Sequence, residues 1–379
     1  MKILLLGEYS RFHNSLKEGL IKLGHEVTLV SDNDFKNYPA DIFLYAHLFK
    51  DNYILNKIRQ GIFRIFKHDI AHLEIALRFY LKRKQFSGFD VVQLINEYPI
   101  PSTLKLEAKI LGYIFKHNKK TFLSSCGDDY MCVQHMLEGK FRYSVLTTCE
   151  TNPDATHCKY TLFYATKSFK KLHDFVYKNI TAVIAGDMDY SIPLEGHPKF
   201  AGLIPYPINT EKLKVIEVPS PVISQIVIFH GINNVNYYKK GNYLFEKALE
   251  IISEKYKDGV EIITTRSVPY STYVTLYNKC HILLDQTFSY DQGYNALEAM
   301  AQGKVVFTGA EQEFMQHYNL TERVAVNALP DVDSLVNELS YLIENPEEII
   351  AIGKRARAFI EKEHEYVKVA EKYLEVWNK

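Results

Sequence analysis

The chain reads as a doubly wound α/β protein of two domains. Short apolar strands alternate with helical stretches, the alternation breaks at one proline-flanked segment, and a fresh strand–helix series begins after the break. Length agrees, because 379 residues exceed one ordinary core and suit two domains of about 150 to 200 residues each.

Lys2–Leu6 is the first strand. Phe12, Leu16, Leu20 and Leu23 then recur at helical spacing, so Phe12–Leu23 is a helix, which Gly24-His25 ends before a second strand, Glu26–Val30. Ala40–Tyr45, Phe89–Ile95 and Lys120–Ser125 are further buried strands, and a parallel sheet of this kind extends to about Ile204. Pro205 and Pro207 flank an irregular stretch that runs to Leu213 and acts as a hinge, which divides the chain into 1–205 and 206–361. The second series opens with the strand Gln225–Phe229, followed by His230-Gly231 and then Lys239-Lys240-Gly241. A helix over Tyr243–Lys255, a strand over Val260–Thr264, a helix near Tyr273–Lys279 and a strand over His281–Leu284 complete the alternation. The tail from Pro346 to Lys379 is expected to be helical throughout.

Composition excludes several classes. A chain that is 47% hydrophobic and 24% charged is neither disordered nor membrane-spanning, and no apolar run approaches the ~18 residues of a spanning helix. Met1–Gly7 reads as a core strand rather than a targeting signal, because a polar helix follows it directly, so a cytoplasmic protein is expected. Five cysteines, an odd number in so long a chain, predict reduced thiols. Cys126, Cys132, Cys149 and Cys158 crowd one region with His135 and His157, but gaps of five and eight residues lack the tight Cys-x2-Cys knuckle of a zinc site, and no metal is expected.

The formal net charge of zero hides an asymmetry, with 27 Lys and Arg against 21 Asp and Glu over residues 1–205 and 18 against 24 beyond. Much of the excess lies in 57–84, where Lys57, Arg59, Arg64, Lys67, Arg78, Lys82, Arg83 and Lys84 interleave with Ile58, Ile62, Phe63, Ile65, Phe66, Leu73, Ile75, Phe79 and Tyr80. Two readings remain open: a surface helix with its apolar side on the core, or peripheral contact with an anionic membrane face. Nucleic acid is not expected as a partner, because the excess is local and no recognition motif accompanies it.

Tyr290-Asp-Gln-Gly-Tyr-Asn-Ala-Leu-Glu298-Ala-Met-Ala-Gln-Gly303 carries the strongest functional signal. It follows an apolar strand, predicts a helix from about Tyr294 to Gln302 that Gly303 ends, and leads into the strand Val305–Phe307. Glu298 is the one acid on an otherwise small, apolar helix, and a lone carboxylate at the carboxyl edge of a sheet suits paired hydroxyls such as those of a ribose.

Together with Lys240-Gly241 about fifty residues earlier, this segment resembles the nucleotide-sugar site of family 4 glycosyltransferases, whose pattern is Glu-x7-Glu followed by Ala-Met-Ala-x-Gly-x-Pro-Val-Val. The first glutamate falls on Tyr290, and Lys304-Val305 stands for the usual x-Pro. The resemblance implies the GT-B fold, two Rossmann-like domains facing each other across a cleft, with a last helix over about 362–379 that packs back on the first domain through Trp377. It also implies a retaining transferase that uses a nucleoside-diphosphate sugar, needs no cofactor or metal, and serves a glycan or lipid-linked acceptor in bacterial surface polysaccharide assembly at the inner face of the membrane.

Carried over residue by residue, the pattern assigns Lys240 to the leaving phosphate, with Lys239 beside it. Gly231 closes the first strand of the second domain, and Asn233, Asn234 or Arg266 stands in for an arginine the family usually carries there. Glu298 takes the ribose. Gly293, Asp291 and Tyr294 line the mouth of the helix, where backbone amides can hold a diphosphate, and Tyr290 occupies the place of an acid that touches the transferred sugar. On the first domain Gly7 allows close approach of substrate, Ser10, Arg11 and His13 face the acceptor, and Asp128 stands where many relatives carry a histidine, as a catalytic carboxylate that bonds a sugar hydroxyl or stabilises an oxocarbenium-like state, or else as a loop or helix-cap aspartate. Two other functions stay open: a catalytically idle protein of the same fold that binds a nucleotide or sugar, and a sugar-nucleotide epimerase.

Overall fold

The computed structural model describes residues 1–32, 38–66, 68–215 and 225–379. Among them, strands β1 (Lys2–Leu6), β2 (Glu26–Ser31), β3 (Ile42–Phe43), β4 (Val91–Leu94), β5 (Lys120–Ser125), β6 (Ala182–Ala185) and β7 (Phe200–Leu203) form one sheet in the order β3-β2-β1-β4-β5-β6-β7. A second sheet, in the order β12-β11-β10-β8-β9, contains β8 (Ile226–Ile232), β9 (Val260–Arg266), β10 (Ile282–Leu284), β11 (Val305–Thr308) and β12 (Val326–Asn327). Every pairing is parallel. That explains the near-continuous apolar runs, because helices cover both faces of each sheet.

Predicted strands hold best at the centres of the sheets. The stretch Ala40–Tyr45 shrinks to the two residues of β3, an edge strand that pairs only through Val30 with Ile42 and Ser31 with Phe43. The tail is not one helix: Pro346–Phe359 passes through a π-helical turn, Ile360–His364, before the last helix, Tyr366–Asn378. At that break Ile208 of the hinge bridges to Glu365, and the buried His364 ring meets the Tyr206 carbonyl at 2.9 Å.

One apolar cluster joins the domains. It contains Phe12, Leu16 and Leu20 of the first helix, Tyr206 and Ile208 of the hinge, Tyr290, Leu297 and Met300 of the second domain, and Val369, Tyr373 and Trp377 of the last helix. The Trp377 indole donates to Gln93 Oε1 at 3.0 Å on β4, so the chain's last helix is tied to its first domain.

The surface-helix reading of 57–84 fits one of its two helices, and the expectation of reduced cysteines fails in part. The helix Tyr53–Phe66 buries none of its residues, so its apolar side does not sit on a core as an ordinary surface helix would. The neighbouring helix Ala71–Lys82 does bury Ile75, Ala76 and Phe79, while Lys67 lies outside the described residues. The reduced state is also wrong for two of the five cysteines, because Cys149 and Cys158 form a disulfide. They sit on consecutive short helices, Thr147–Thr151 and Thr156–Phe163, whose turn brings the two sulfurs together. Cys126, Cys132 and Cys280 are free and buried.

Candidate active site

Ligands in open parallel sheets bind outside the carboxyl ends of the strands, where the strand order reverses. That point lies between β1 and β4 in the first sheet and between β8 and β10 in the second. The loops selected are those after β1, β8 and β10, which hold Gly7–His13, Asn233–Gly241 and Asp285–Gly293. The two carboxyl edges face each other. Lys239 after β8 reaches Asp128 after β5 at 3.0 Å, and Tyr294 after β10 meets Ser15 at 2.7 Å.

Glu298 and Arg11 line one cavity of about 140 Å³ together with Ser15, Tyr294, Tyr277 and Lys212. Arg11 has left-handed backbone, φ 78°, and its guanidinium is 3.0 Å from Glu18. Burial pushes its pKa down, but Glu18, Tyr294 and Glu298 outweigh that and raise it, so the cation is secure. The Tyr294 hydroxyl donates to the Pro207 carbonyl at 2.8 Å, joining the mouth of the Tyr294–Ala301 helix to the hinge. Gly293 is the N-cap and has no capping side chain, and a Cβ built on it would meet nothing closer than Gln286 at 3.7 Å. The helix amino terminus thus lies beside Gln286 and the Asp285 carboxylate, with its first amides uncapped by a Gly293 side chain.

Gly7 and Gly231 have packing reasons as well. Gly7 has φ +89° and a Cβ there would lie 2.2 Å from Ile95, while a Cβ on Gly231 would lie 2.4 Å from the Tyr273 ring. Lys240 extends to Asp285 at 2.7 Å, a carboxylate that sequence reading missed because an acid ending a strand has no pattern of its own. Asp285 also accepts from Asn295 at 3.3 Å, so it organises the lysine and the helix together.

Other predicted residues stand apart from this cavity. Asn233 caps a short turn by accepting from the Val235 amide at 3.0 Å. Arg266 is turned to Glu246 and lies over the Tyr237 ring. Asp128 bridges Thr161 at 2.7 Å and Lys239 across the cleft. His13 is fully buried with Nδ1 2.7 Å from the Gly7 carbonyl, and burial lowers its pKa to about 3, so the ring stays neutral and fixes the β1 loop. Ser10 shares the strained turn, with φ 50°.

Tyr290 is 2% exposed, and its hydroxyl accepts from the Arg142 amide at 2.7 Å beneath the Arg142 guanidinium. That guanidinium is paired with Glu311 at 2.8 Å and Glu313 at 2.6 Å, so residues 141–143 of the first domain lock onto the second where an acid would stand. Arg142 carried no sequence signal. Asp291 accepts from the amides of Gln292 at 2.7 Å and Met188 at 3.1 Å. Asp189, beside it, holds the Tyr290 amide at 3.0 Å, and Tyr206 donates to Asp187 at 2.9 Å. Burial raises all three carboxyl pKa values, Asp189 to about 6, Asp291 to about 7 and Asp187 well above the usual range.

Residues 239–375 match the family model described as glycosyl transferase-like. No curated protein matches the chain. Among solved structures, sucrose-phosphate synthase from Thermosynechococcus elongatus is similar over 100% of this chain and 98% of its own, with TM-score 0.62 at 13% identity. HepE from Anabaena in complex with UDP and glucose is similar over 100% of both chains, with TM-score 0.57 at 14% identity. A glycosyltransferase from Rickettsia africae is similar over 99% of this chain and 97% of its own, with TM-score 0.52 at 13% identity. The chain therefore has the GT-B fold over its whole length, and its second domain carries the match to the glycosyl transferase-like family.

Proposed function

We propose that the protein is a retaining, metal-independent glycosyltransferase. It moves a sugar from a nucleoside-diphosphate donor to a hydroxyl of a glycan or lipid-linked acceptor, in bacterial surface polysaccharide assembly at the inner face of the membrane. The observation that carries this reading is the cavity between the domains that joins Glu298 and Tyr294, within the segment matched by the family model, to Arg11 of the first domain. UDP and UDP-glucose in HepE, and UDP with a glycan in Staphylococcus aureus TarM, support the donor and acceptor classes.

In this reading Glu298 accepts hydrogen bonds from the ribose hydroxyls, the amides after Gly293 hold the diphosphate, and Lys240, aimed by Asp285, neutralises charge on the leaving phosphate. The bond from the anomeric carbon to the phosphate oxygen breaks, the acceptor oxygen bonds to the same face, and the acceptor proton passes to the departing phosphate. The exposed Tyr53–Phe66 helix, with Tyr53, Ile54, Ile58, Phe63, Ile65 and Phe66 in solvent beside Lys57 and Arg64, supports a membrane-borne acceptor. Thermal shift and slow hydrolysis across a panel of nucleoside-diphosphate sugars test the reading, and no stabilisation with no hydrolysis for any donor rejects it. Glu298→Ala is expected to weaken the responding donor about tenfold to a hundredfold; unchanged affinity would contradict the ribose role.

A second reading, an idle nucleotide- or sugar-binding protein, is favoured by Tyr290, whose hydroxyl is already committed to Arg142. Stabilisation by donors without hydrolysis or transfer selects it.

A further inference from the structure

Outside the cleft, three side chains of metal-binding chemistry meet on the segment between the Tyr130–Leu137 and Lys167–Asn179 helices. The ligand atoms of Cys149, His157 and Cys158 all lie within 4.8 Å of one another. His157 is 3% exposed and Cys158 1%. The ring nitrogen Nε2 of His157 is 3.5 Å from Cys149 Sγ and 3.6 Å from Cys158 Sγ. Zinc at its usual bond lengths, about 2.3 Å to sulfur and about 2.0 Å to nitrogen, sets tetrahedral S-to-N separations of about 3.6 Å. The imidazole is thus at ligand distance from both sulfurs; to bind, the sulfurs have to part and Nε2 has to give up its contacts with Thr148 Oγ1 at 2.9 Å and the Val145 carbonyl at 3.2 Å.

We propose that, with the Cys149–Cys158 disulfide reduced, Cys149, His157 and Cys158 bind one zinc-class divalent cation. A dithiol reductant gives two electrons and two protons to the disulfide and becomes a disulfide itself. The cation then displaces one proton from each thiol while Nε2 donates its lone pair. Two thiolates cancel the double charge of the ion, so a neutral complex forms in a buried place where an uncompensated charge would be costly. Two sulfurs and one imidazole select zinc over magnesium or calcium, which take oxygen ligands. No fourth His, Cys, Asp or Glu joins the group among the described residues, so the remaining position falls to water, admitted on the side of the partly exposed Cys149.

The site and the cleft are physically joined. Thr161, on the helix that carries His157 and Cys158, donates to Asp128 at 2.7 Å, and Asp128 pairs with Lys239 of the second domain. Disulfide and metal are thus alternative staples for a segment of the first domain that is linked to the second through Asp128 and Lys239.

The test uses the full chain reduced with dithiothreitol, desalted without oxygen and titrated with zinc against a chromophoric chelator. Stoichiometric binding by reduced protein and none by oxidised protein is expected, with affinity at least about tenfold weaker in His157→Ala and unchanged in Cys126→Ser. Cobalt(II) added to reduced wild type should give a thiolate-to-metal charge-transfer band, which does not depend on any variant folding. Substoichiometric zinc with no such band overturns the proposal, as does zinc binding that survives both His157→Ala and Cys158→Ser.

Discussion

Asp291 shows how much one side chain depends on its setting. In sequence it is the acid nearest to a missing glutamate; in the fold it is buried against Asp189 and Asp187 at the seam of the domains, with a pKa raised to about 7. A carboxyl whose folded pKa exceeds its unfolded value of about 3.9 contributes stability below that value, and the contribution is lost as pH rises through the folded pKa. Asp189 and Asp291 therefore cost the seam stability between about pH 4 and pH 7, and Asp187, raised further by burial, adds to the loss in the same direction. Asp291→Asn, which cannot ionise, should gain on wild type in melting temperature as pH rises from 5 to 8; a difference that stays constant with pH would remove Asp291 from this role. Glu298 was legible because an acid on an apolar helix needs a reason. Tyr290 was visible as a departure, but that Arg142 of the other domain fills the vacated place was not, because their separation of 148 residues leaves no local pattern.

At the scale of elements, period and punctuation located most central strands and the Glu298 helix, which the structure begins at Tyr294 as read. Edges were harder. β3 keeps two residues, pairing with β2 at Ile42 and Phe43. The basic segment carried a strong helical pattern, but pattern alone does not say what the apolar side meets. In the fold the Tyr53–Phe66 helix meets no core, with Tyr53 at 76% and Ile65 at 75% exposure. Phe63→Asp combined with Ile58→Asp should lower co-sedimentation with anionic phospholipid vesicles several-fold and change stability by less than about 1 kcal/mol, since neither side chain is buried. Binding equal to wild type, or no wild-type binding, would sever this helix from the membrane.

The whole molecule is held as one body by a core that neither domain completes alone. The last helix supplies Trp377, 1% exposed, to the first sheet, near Phe122 and bonded to Gln93. Trp377→Ala should cost about 3–5 kcal/mol of stability, read by chemical denaturation with intact far-ultraviolet circular dichroism at low denaturant. A loss below about 1 kcal/mol would mean that the tail is not a structural tie. No helix among the described residues is long and apolar enough to cross a membrane.

By itself the sequence determined the α/β class, the two strand–helix series and the likeness of Lys240 and Glu298 to a nucleotide-sugar site, because periodicity, glycine punctuation and motif spacing are local and survive without coordinates. Only the tertiary structure decided that Arg11 faces Glu298 across a cavity, that Asp285 aims Lys240, that Arg142 seals Tyr290 and that Cys149 meets Cys158 beside His157. Each of these depends on which strand edges face each other and how a segment turns in space, and that follows from burying apolar surface over the whole chain rather than from any short run of residues.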